Sequence, residues 1–343
     1  MKLDDMSNYF FISICIPSYN RPEELKRLIE SVDAGNADEI EIVITEDKAP
    51  KRLEVRTTVE ELKRTCKYTI NYYENETNCG YDKNLRGCAS KAQGKWVIFM
   101  GDDDVFVEGS LDKYIGFLKE HEELGYVLRR YKAEYADGRI EEYRYDDKDV
   151  FMKPSVDTYI EFFRRSLFIS GFTFRKEFFD DYECSDYDGT LLFQLYIEAL
   201  ICQKYPSAYC DIPISKSIEG GTPYFGSSEN EKNYESGSIT FGNSIEFMKQ
   251  VKRMTESIDA KCEIQSTDKI INTYSKYSYG FLLEHRDKGV KVFRSYAKEL
   301  KKLGFASSKL FYIYYLGLLI FGRKGCQNII IFIKKVLGKT PKL

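Results

Sequence analysis

The stretch WVIFMGDDD, residues 96–104, runs five apolar residues into a glycine and three consecutive carboxylates. A short apolar, partly β-branched run closed by polar punctuation reads as a buried strand of a parallel sheet. Upstream, FFISICI at residues 10–16 is a second such run, stopped by Pro17. Residues 21–32 follow it with Leu25, Leu28, Ile29 and Val32 at helical spacing, and with Pro22 near the start, where its missing N–H costs nothing. EIEIVIT, residues 39–45, is a strand ending in Glu46-Asp47; residues 51–66 are helical, 68–73 a strand, 80–93 helical and 107–121 helical again. Strand alternating with helix predicts an α/β fold: an open, mainly parallel sheet with right-handed crossovers. Ligands of such sheets bind at the carboxyl ends of the strands. That is where Pro17-Ser18-Tyr19-Asn20-Arg21, Glu46-Asp47 and Asp102-Asp103-Asp104 fall.

The rest of the chain is read with less pattern. Residues 125–142 suggest strands around an Asp137-Gly138 turn, residues 156–167 a helix, and residues 191–203 an apolar helix preceded by Asp186-Tyr187-Asp188-Gly189-Thr190. Residues 217–238, rich in Gly, Ser and Asn, read as a long loop and a lid. Beyond residue 241 the pattern is helical. The boundaries expected are a catalytic domain at 1–216 (donor half 1–124, acceptor half 125–216), a loop at 217–240, a helical region at 241–303 and a basic, apolar segment at 304–343.

With 51 Lys and Arg against 54 Asp and Glu, the 343-residue chain carries a net charge of −3, which gives no footprint for nucleic acid. The charge is unevenly spread. Residues 298–343 hold ten basic residues and one acid, so that segment carries +9 and residues 1–297 carry −12. Nine cysteines, an odd number with no CxxC spacing, fit reduced thiols in a cytoplasmic compartment. Two histidines, His121 and His285, leave little for a histidine zinc site or a Ser-His-Asp hydrolase. The first eight residues have no basic region leading into an apolar run, so no secretory signal is read.

Three adjacent carboxylates oppose one another's ionisation unless a cation neutralises them, and hard oxygen donors suit Mg²⁺ or Mn²⁺. In isolation such a triplet is more readily a solvated acidic turn that caps a helix; its place after a buried strand reverses the balance in favour of the cation. Tyr19 offers a face for a base and Arg21 a cation for phosphate, although the same residues serve an ordinary strand–helix turn. Asp47 can accept a bond from a base N–H or be a plain loop acid.

The segments ISICIPSYNRPEELKRLIESV, EIVITED and NCGYDKNLRGCASKAQGKWVIFMGDDDVF together resemble the nucleotide-sugar half of family 2 glycosyltransferases of the GT-A fold, the kind that builds bacterial O-antigen and capsule polysaccharides. The family's usual Asp-Asp-Gly-Ser stands here as Glu46-Asp47-Lys48-Ala49, and Gly101 stands where many members have the first acid of the metal motif. The resemblance implies that Pro17, Tyr19, Arg21 and Asp47 hold the uridine end of the donor, with Asn84 lining that pocket and Asp102 near the ribose. It implies Asp103 as metal ligand, together with Asp104. It implies Asp188 as the base that opens the later helix, with Asp186 as the second choice; both acids could equally serve to cap that helix.

In the basic segment, 13 uncharged residues, LFYIYYLGLLIFG, separate Lys309 from Arg323, short of the roughly 20 needed to cross a bilayer. With Arg323-Lys324 and Lys334-Lys335 they predict helices lying on an anionic membrane surface; packing on the protein body or on a second subunit is the alternative. The expectation is an inverting, Mg²⁺- or Mn²⁺-dependent transferase using a nucleotide sugar, UDP-linked by resemblance. It would act on an acceptor hydroxyl of a glycan or lipid-linked glycan at the inner face of the cell membrane. A nucleotidyltransferase would want a glycine-rich phosphate loop after the first strand, which residues 17–21 lack. A non-catalytic binding protein or membrane scaffold would keep the fold without turnover.

Overall fold

The computed structural model describes residues 10–182 and 184–337, residues 330–337 through their backbone alone. The reading of the first eight residues, and the end of the basic segment at 338–343, lie outside the described residues. The chain forms two compact units, one of residues up to 232 with 236–238, the other of 233–235 with 239–343.

In the first unit, β1 (Phe10–Ser18), α1 (Pro22–Glu30), β2 (Ile40–Glu46), α2 (Arg52–Thr65), β3 (Thr69–Glu74), α3 (Tyr81–Ser90) and β4 (Gly94–Phe99) alternate as the hydrophobic pattern predicts. They are followed by the two-residue strand β5 (Val105–Phe106), then α4 (Leu111–Glu120), β6 (Tyr126–Glu134), β7 (Ile140–Tyr143), β8 (Val150–Met152), α5 (Val156–Phe163), β9 (Phe172–Arg175), α6 (Lys176–Tyr182), α7 (Phe193–Lys204) and β10 (Ser207–Ile218). The described strands make one sheet in the order β3-β2-β1-β4-β9-β6-β10-β5, with β7 on β6 and β8 on β10. β1 to β4 are parallel, in the register Ile14↔Ile42 and Ile14↔Ile98. Antiparallel β9 splices them to β6, which runs parallel to β10.

The parallel half holds together because one face of its strands is a continuous apolar surface. Ile12, Ile14, Ile16, Ile42, Ile44, Trp96 and Ile98 pack with Leu25 and Leu28 of α1 and Val55 and Val59 of α2. Burying each such Ile, Leu or Val contributes about 1.5–3 kcal/mol. This core fixes the strands, and so fixes where their polar ends project.

The second unit is helical among its described residues: α8 (Phe241–Cys262), α9 (Thr267–Lys276), α10 (Tyr279–Asp287), α11 (Val290–Leu303) and α12 (Lys309–Leu337). Thr240 caps α8 by accepting from the Asn243 N–H. Asp259 accepts from the N–H groups of Ser266 and Thr267 and from the Ser266 hydroxyl, and so starts α9. α12 breaks at Gly322, whose φ of 62° lies in the left-handed region that favours glycine. Phe311 and Leu318 of α12 are buried, whereas Ile313, Leu316 and Ile320 are more than half exposed, with Lys309 exposed on the same stripe and Lys324 exposed beyond the break. No described helix is long and apolar enough to cross a membrane.

Candidate active site

The turn after β1 carries Asn20 with φ 63°, which swings Arg21 back over the carboxyl end of β4. There the Arg21 guanidinium bonds Asp102 at 2.7 Å and Asp103 at 3.0 Å, while the Tyr19 N–H donates to the other Asp102 oxygen at 2.9 Å. Asp102 is almost wholly buried. Burial pushes its carboxyl up and Asp103 adds to this, and Arg21 opposes it; the outcome is about 6. Asp104, also buried and beside Asp103, is raised to about 7 in spite of a bond from the Ser170 hydroxyl. Asp103 has the most exposed side chain among these partners, at 29%. Arg21 is thus the resident counter-charge of the acidic triplet.

At the end of β2 the two acids divide their work. Glu46 is buried and holds its own turn, accepting from the Lys48 and Ala49 N–H groups and pairing with Arg52. Lys48 takes φ 52° at the position where the family pattern has glycine. Asp47 reaches into the loop before α3. Its Oδ1 accepts from Asn75 Nδ2, the Cys79 N–H and the Cys79 thiol, and its Oδ2 from the Gly80 N–H at 2.9 Å. Asn84 is buried, donating to the Thr45 carbonyl and accepting from Asn75. Its polar groups are therefore turned to β2 and to Asn75, behind the loop that Asp47 shapes. Pro17, half-buried, pairs with Thr45 across the β1–β2 register.

The turn before α7 holds Asp188, half-buried, which Arg86 of α3 pairs at 2.7 Å. Asp186, two residues earlier, is exposed.

One loop adjoins all three places. A Cβ at Gly221 would lie 3.0 Å from Asp103. The Thr222 carbonyl accepts from Arg21. The Tyr224 hydroxyl accepts from Asn20 at 3.1 Å, and its ring stands edge-on to Tyr19 at 5.4 Å and under the Arg21 cation at 4.9 Å. Ser228 and Asn230 donate to the carbonyls of Asn78 and Cys79. Buried Glu231 accepts from the N–H groups of Tyr81 and Gly226. The Asn230 carbonyl presses on Gly189, next to Asp188, so closely that a Cβ there would sit 2.0 Å away. Asp103, Asp47 with its loop, and the Asp188 turn thus border one stretch of chain, residues 221–231.

Sequence reading missed Asn75, Asn78, Arg86, Ser170 and Glu231. Each works through partners up to 150 positions away, as between Tyr81 and Glu231, and no local spacing carries such pairings. The usable hint was Gly189, a glycine directly after the acid.

The described residues contain no cluster of three or more His, Cys, Asp or Glu side chains arranged to hold a metal ion. Mg²⁺, however, typically takes one or two protein carboxylates and completes its shell from substrate phosphates and water. The hard oxygens of Asp103, the exposed member of the triplet, fit that smaller requirement.

Comparison with known proteins bears on the family and the fold. The curated relatives include an uncharacterized glycosyltransferase of Haemophilus influenzae, 26% identical over 123 residues that make up 36% of this chain and 40% of that protein. They also include the abequosyltransferase RfbV of Salmonella typhimurium, 34% identical over 103 residues, 29% of this chain and 30% of that one. A third is the GalNAc(5)-diNAcBac-PP-undecaprenol beta-1,3-glucosyltransferase of Campylobacter jejuni, 26% identical over 29% of this chain and 32% of that one. The matches thus span less than half the length of each curated relative. Among solved structures, S. aureus TarS 1–349 in complex with UDP-GlcNAc superposes with a TM-score of 0.58 at 15% identity over 89% of each chain. Its UDP complex does so at 16% identity over 96% of this chain and 92% of that one. These neighbours share the GT-A α/β fold. The family model described as glycosyl transferase family 2 matches residues 13–190, more than half of the sequence and from the first strand through Asp188, and the chain belongs to that family.

Proposed function

We propose that this chain is an inverting, metal-dependent glycosyltransferase that moves a sugar from a UDP-sugar to a hydroxyl of a glycan carried on a lipid. The observation that carries the reading is the loop at 221–231, which borders Asp103, the Tyr19–Arg21 turn and the Asp188 turn at once. In this reading it is the lid of a donor site within the 1–216 catalytic domain. TarS was solved with UDP and with UDP-GlcNAc, and the Campylobacter relative is named for an undecaprenol-linked acceptor; both support the choice of donor and acceptor class.

Pro17 and Tyr19 would bind the base and Asp102 would lie near the ribose. Asp47 keeps one lone pair of Oδ2 for a donor N–H after holding the loop in place. Asn84 would shape the pocket from behind, through Asn75. Arg21 would turn from Asp103 toward the diphosphate. Asp103, with Asp104 behind it, would hold Mg²⁺ or Mn²⁺; a bound divalent cation supplies positive charge against the departing diphosphate. Asp188 would take the proton of the attacking hydroxyl at a carboxylate oxygen. As the acceptor oxygen bonds to the anomeric carbon from the opposite face, the bond to the diphosphate oxygen breaks and the centre inverts. Asp186, exposed where Asp188 is half-buried, is the weaker base.

The stripe of Ile313, Leu316 and Ile320 between Lys309 and Lys324 would rest on the anionic inner face of the cell membrane, apolar side in the headgroup layer.

The test is thermal unfolding with a panel of nucleotide sugars, with and without Mn²⁺. A ligand at a hundredfold excess over Kd stabilises the native form by about 2.7 kcal/mol, a rise of several degrees. The expected result is a rise with UDP-sugars that needs Mn²⁺ and is lost in Asp103→Ala. A rise that ignores the metal and survives that substitution would remove the site.

A further inference from the structure

Helix α3 grips the turn before α7 at two points. Near its start, wholly buried Asp82 accepts from the N–H groups of Leu191 at 2.8 Å and Phe193 at 3.0 Å, and so caps α7. One helical turn later, on the same face, Arg86 Nη2 donates to Asp188 Oδ2 at 2.7 Å. The pair is well sheltered, with side-chain exposures of 15% and 19%. The other oxygen, Asp188 Oδ1, is closed to bulk water and accepts no hydrogen bond from the described residues. One oxygen is therefore pinned while the lone pairs of its twin are unclaimed. A carboxylate end rotates in a broad, roughly two-fold well. A charge-assisted bond from a planar guanidinium narrows that rotation more than an ammonium does.

We infer that Arg86 is a positioning residue for the transfer step: by holding Oδ2 it fixes the plane and direction of the carboxylate that takes the acceptor's proton. This rests on the reading of Asp188 as the base. α3 begins at the loop whose Gly80 N–H Asp47 holds, so the same helix that closes the donor side orients the proton acceptor. A misplacement of about 1 Å at such a step costs on the order of 10²-fold in rate.

The test uses the full chain and whichever sugar of a UDP-, GDP-, CDP- and dTDP-sugar panel most raises its unfolding temperature. Turnover is read as nucleotide release with water as acceptor. Arg86→Gln is expected to lower kcat about 10²-fold with the KM for donor changed less than about twofold. Arg86→Lys, which keeps the charge and loses the plane, should recover about tenfold of that loss. If the Gln variant does not fold, the Lys variant carries the test through its own loss of about tenfold in kcat. Asp82→Asn loosens the same turn without touching Asp188; it should lower the unfolding temperature and change kcat by less than about threefold. Unchanged kcat in both Arg86 variants, or an equal fall in Asp82→Asn, overturns the positioning role. Asp188→Asn separates the two readings. If it retains full release, the base assignment is wrong. If it loses about 10³-fold while Arg86→Gln does not change, only the role of Arg86 fails.

Discussion

Arg21 and Asp102 form a buried pair in which each side chain relies on the other, and the Tyr19 backbone relies on both. Replacing Asp102 by Ala leaves Arg21 with Asp103 but takes away its buried partner and the acceptor of the Tyr19 N–H, a loss of about 1–3 kcal/mol. Urea unfolding of Asp102→Ala should therefore show a midpoint shift of that size, and a shift below about 1 kcal/mol would mean the pair is only a surface contact. Gly189 is the second sensitive residue. Its φ of 81° costs a residue with a side chain about 1–2 kcal/mol, and the Asn230 carbonyl leaves no room for a Cβ. Gly189→Ala should lower the unfolding temperature and speed proteolysis within residues 219–232. Protease resistance equal to the parent would show that the loop does not depend on this contact. Of these features only the acidic triplet and the turn residues were legible beforehand. The role of Arg21 as counter-charge depends on the left-handed Asn20, and a single asparagine in a string of polar residues does not announce that conformation.

Among the elements, β1 to β4 could be read from sequence because buried parallel strands are continuous apolar runs, and helices between them repeat every three or four residues. The acceptor side could not. β6 and β10 pair in parallel across about eighty residues with irregular register at Cys210–Ser215, β5 is two residues long, and β9 enters the sheet antiparallel. Local pattern holds no trace of such pairings. In the helical unit, His285 of α10 is fully buried, stacked on Tyr296 of α11 at 3.6 Å, and its Nδ1–H donates to the Phe281 carbonyl. Burial holds the imidazole below its ordinary 6.5, against the pull of that carbonyl, with Lys288 lowering and Glu284 raising it slightly. The folded ring stays neutral where the unfolded one would protonate. Its contribution is therefore complete above pH 6.5 and falls away as the pH drops below that value toward the folded one. Chemical unfolding of the full chain between pH 7.5 and 5, followed by a probe in α10 or α11, should show stability declining on the acid side. His285→Phe should flatten that part of the slope; an unchanged slope would assign it to other groups.

For the whole molecule, the uneven charge and the α12 stripe lead to one expectation. Full-length protein should co-sediment with vesicles containing anionic lipid, less so at high salt, while Ile313→Glu with Ile320→Glu should remain in the supernatant. Interfacial binding scales with the apolar area that enters the headgroup layer, and both side chains are exposed, so the substitutions should weaken binding and preserve folding. Equal sedimentation of the variant would move the stripe to another use. The loop across the strand ends has a further consequence for anyone exchanging specificity between relatives. Its span from Glu219 to Glu231 is tethered at many points, and at one of them the backbone leaves no space for a side chain: a Cβ at Gly189 would lie 2.0 Å from the Asn230 carbonyl. A transplanted loop is free to differ in length and chemistry ahead of that anchor, but a recipient without glycine under it will not seat.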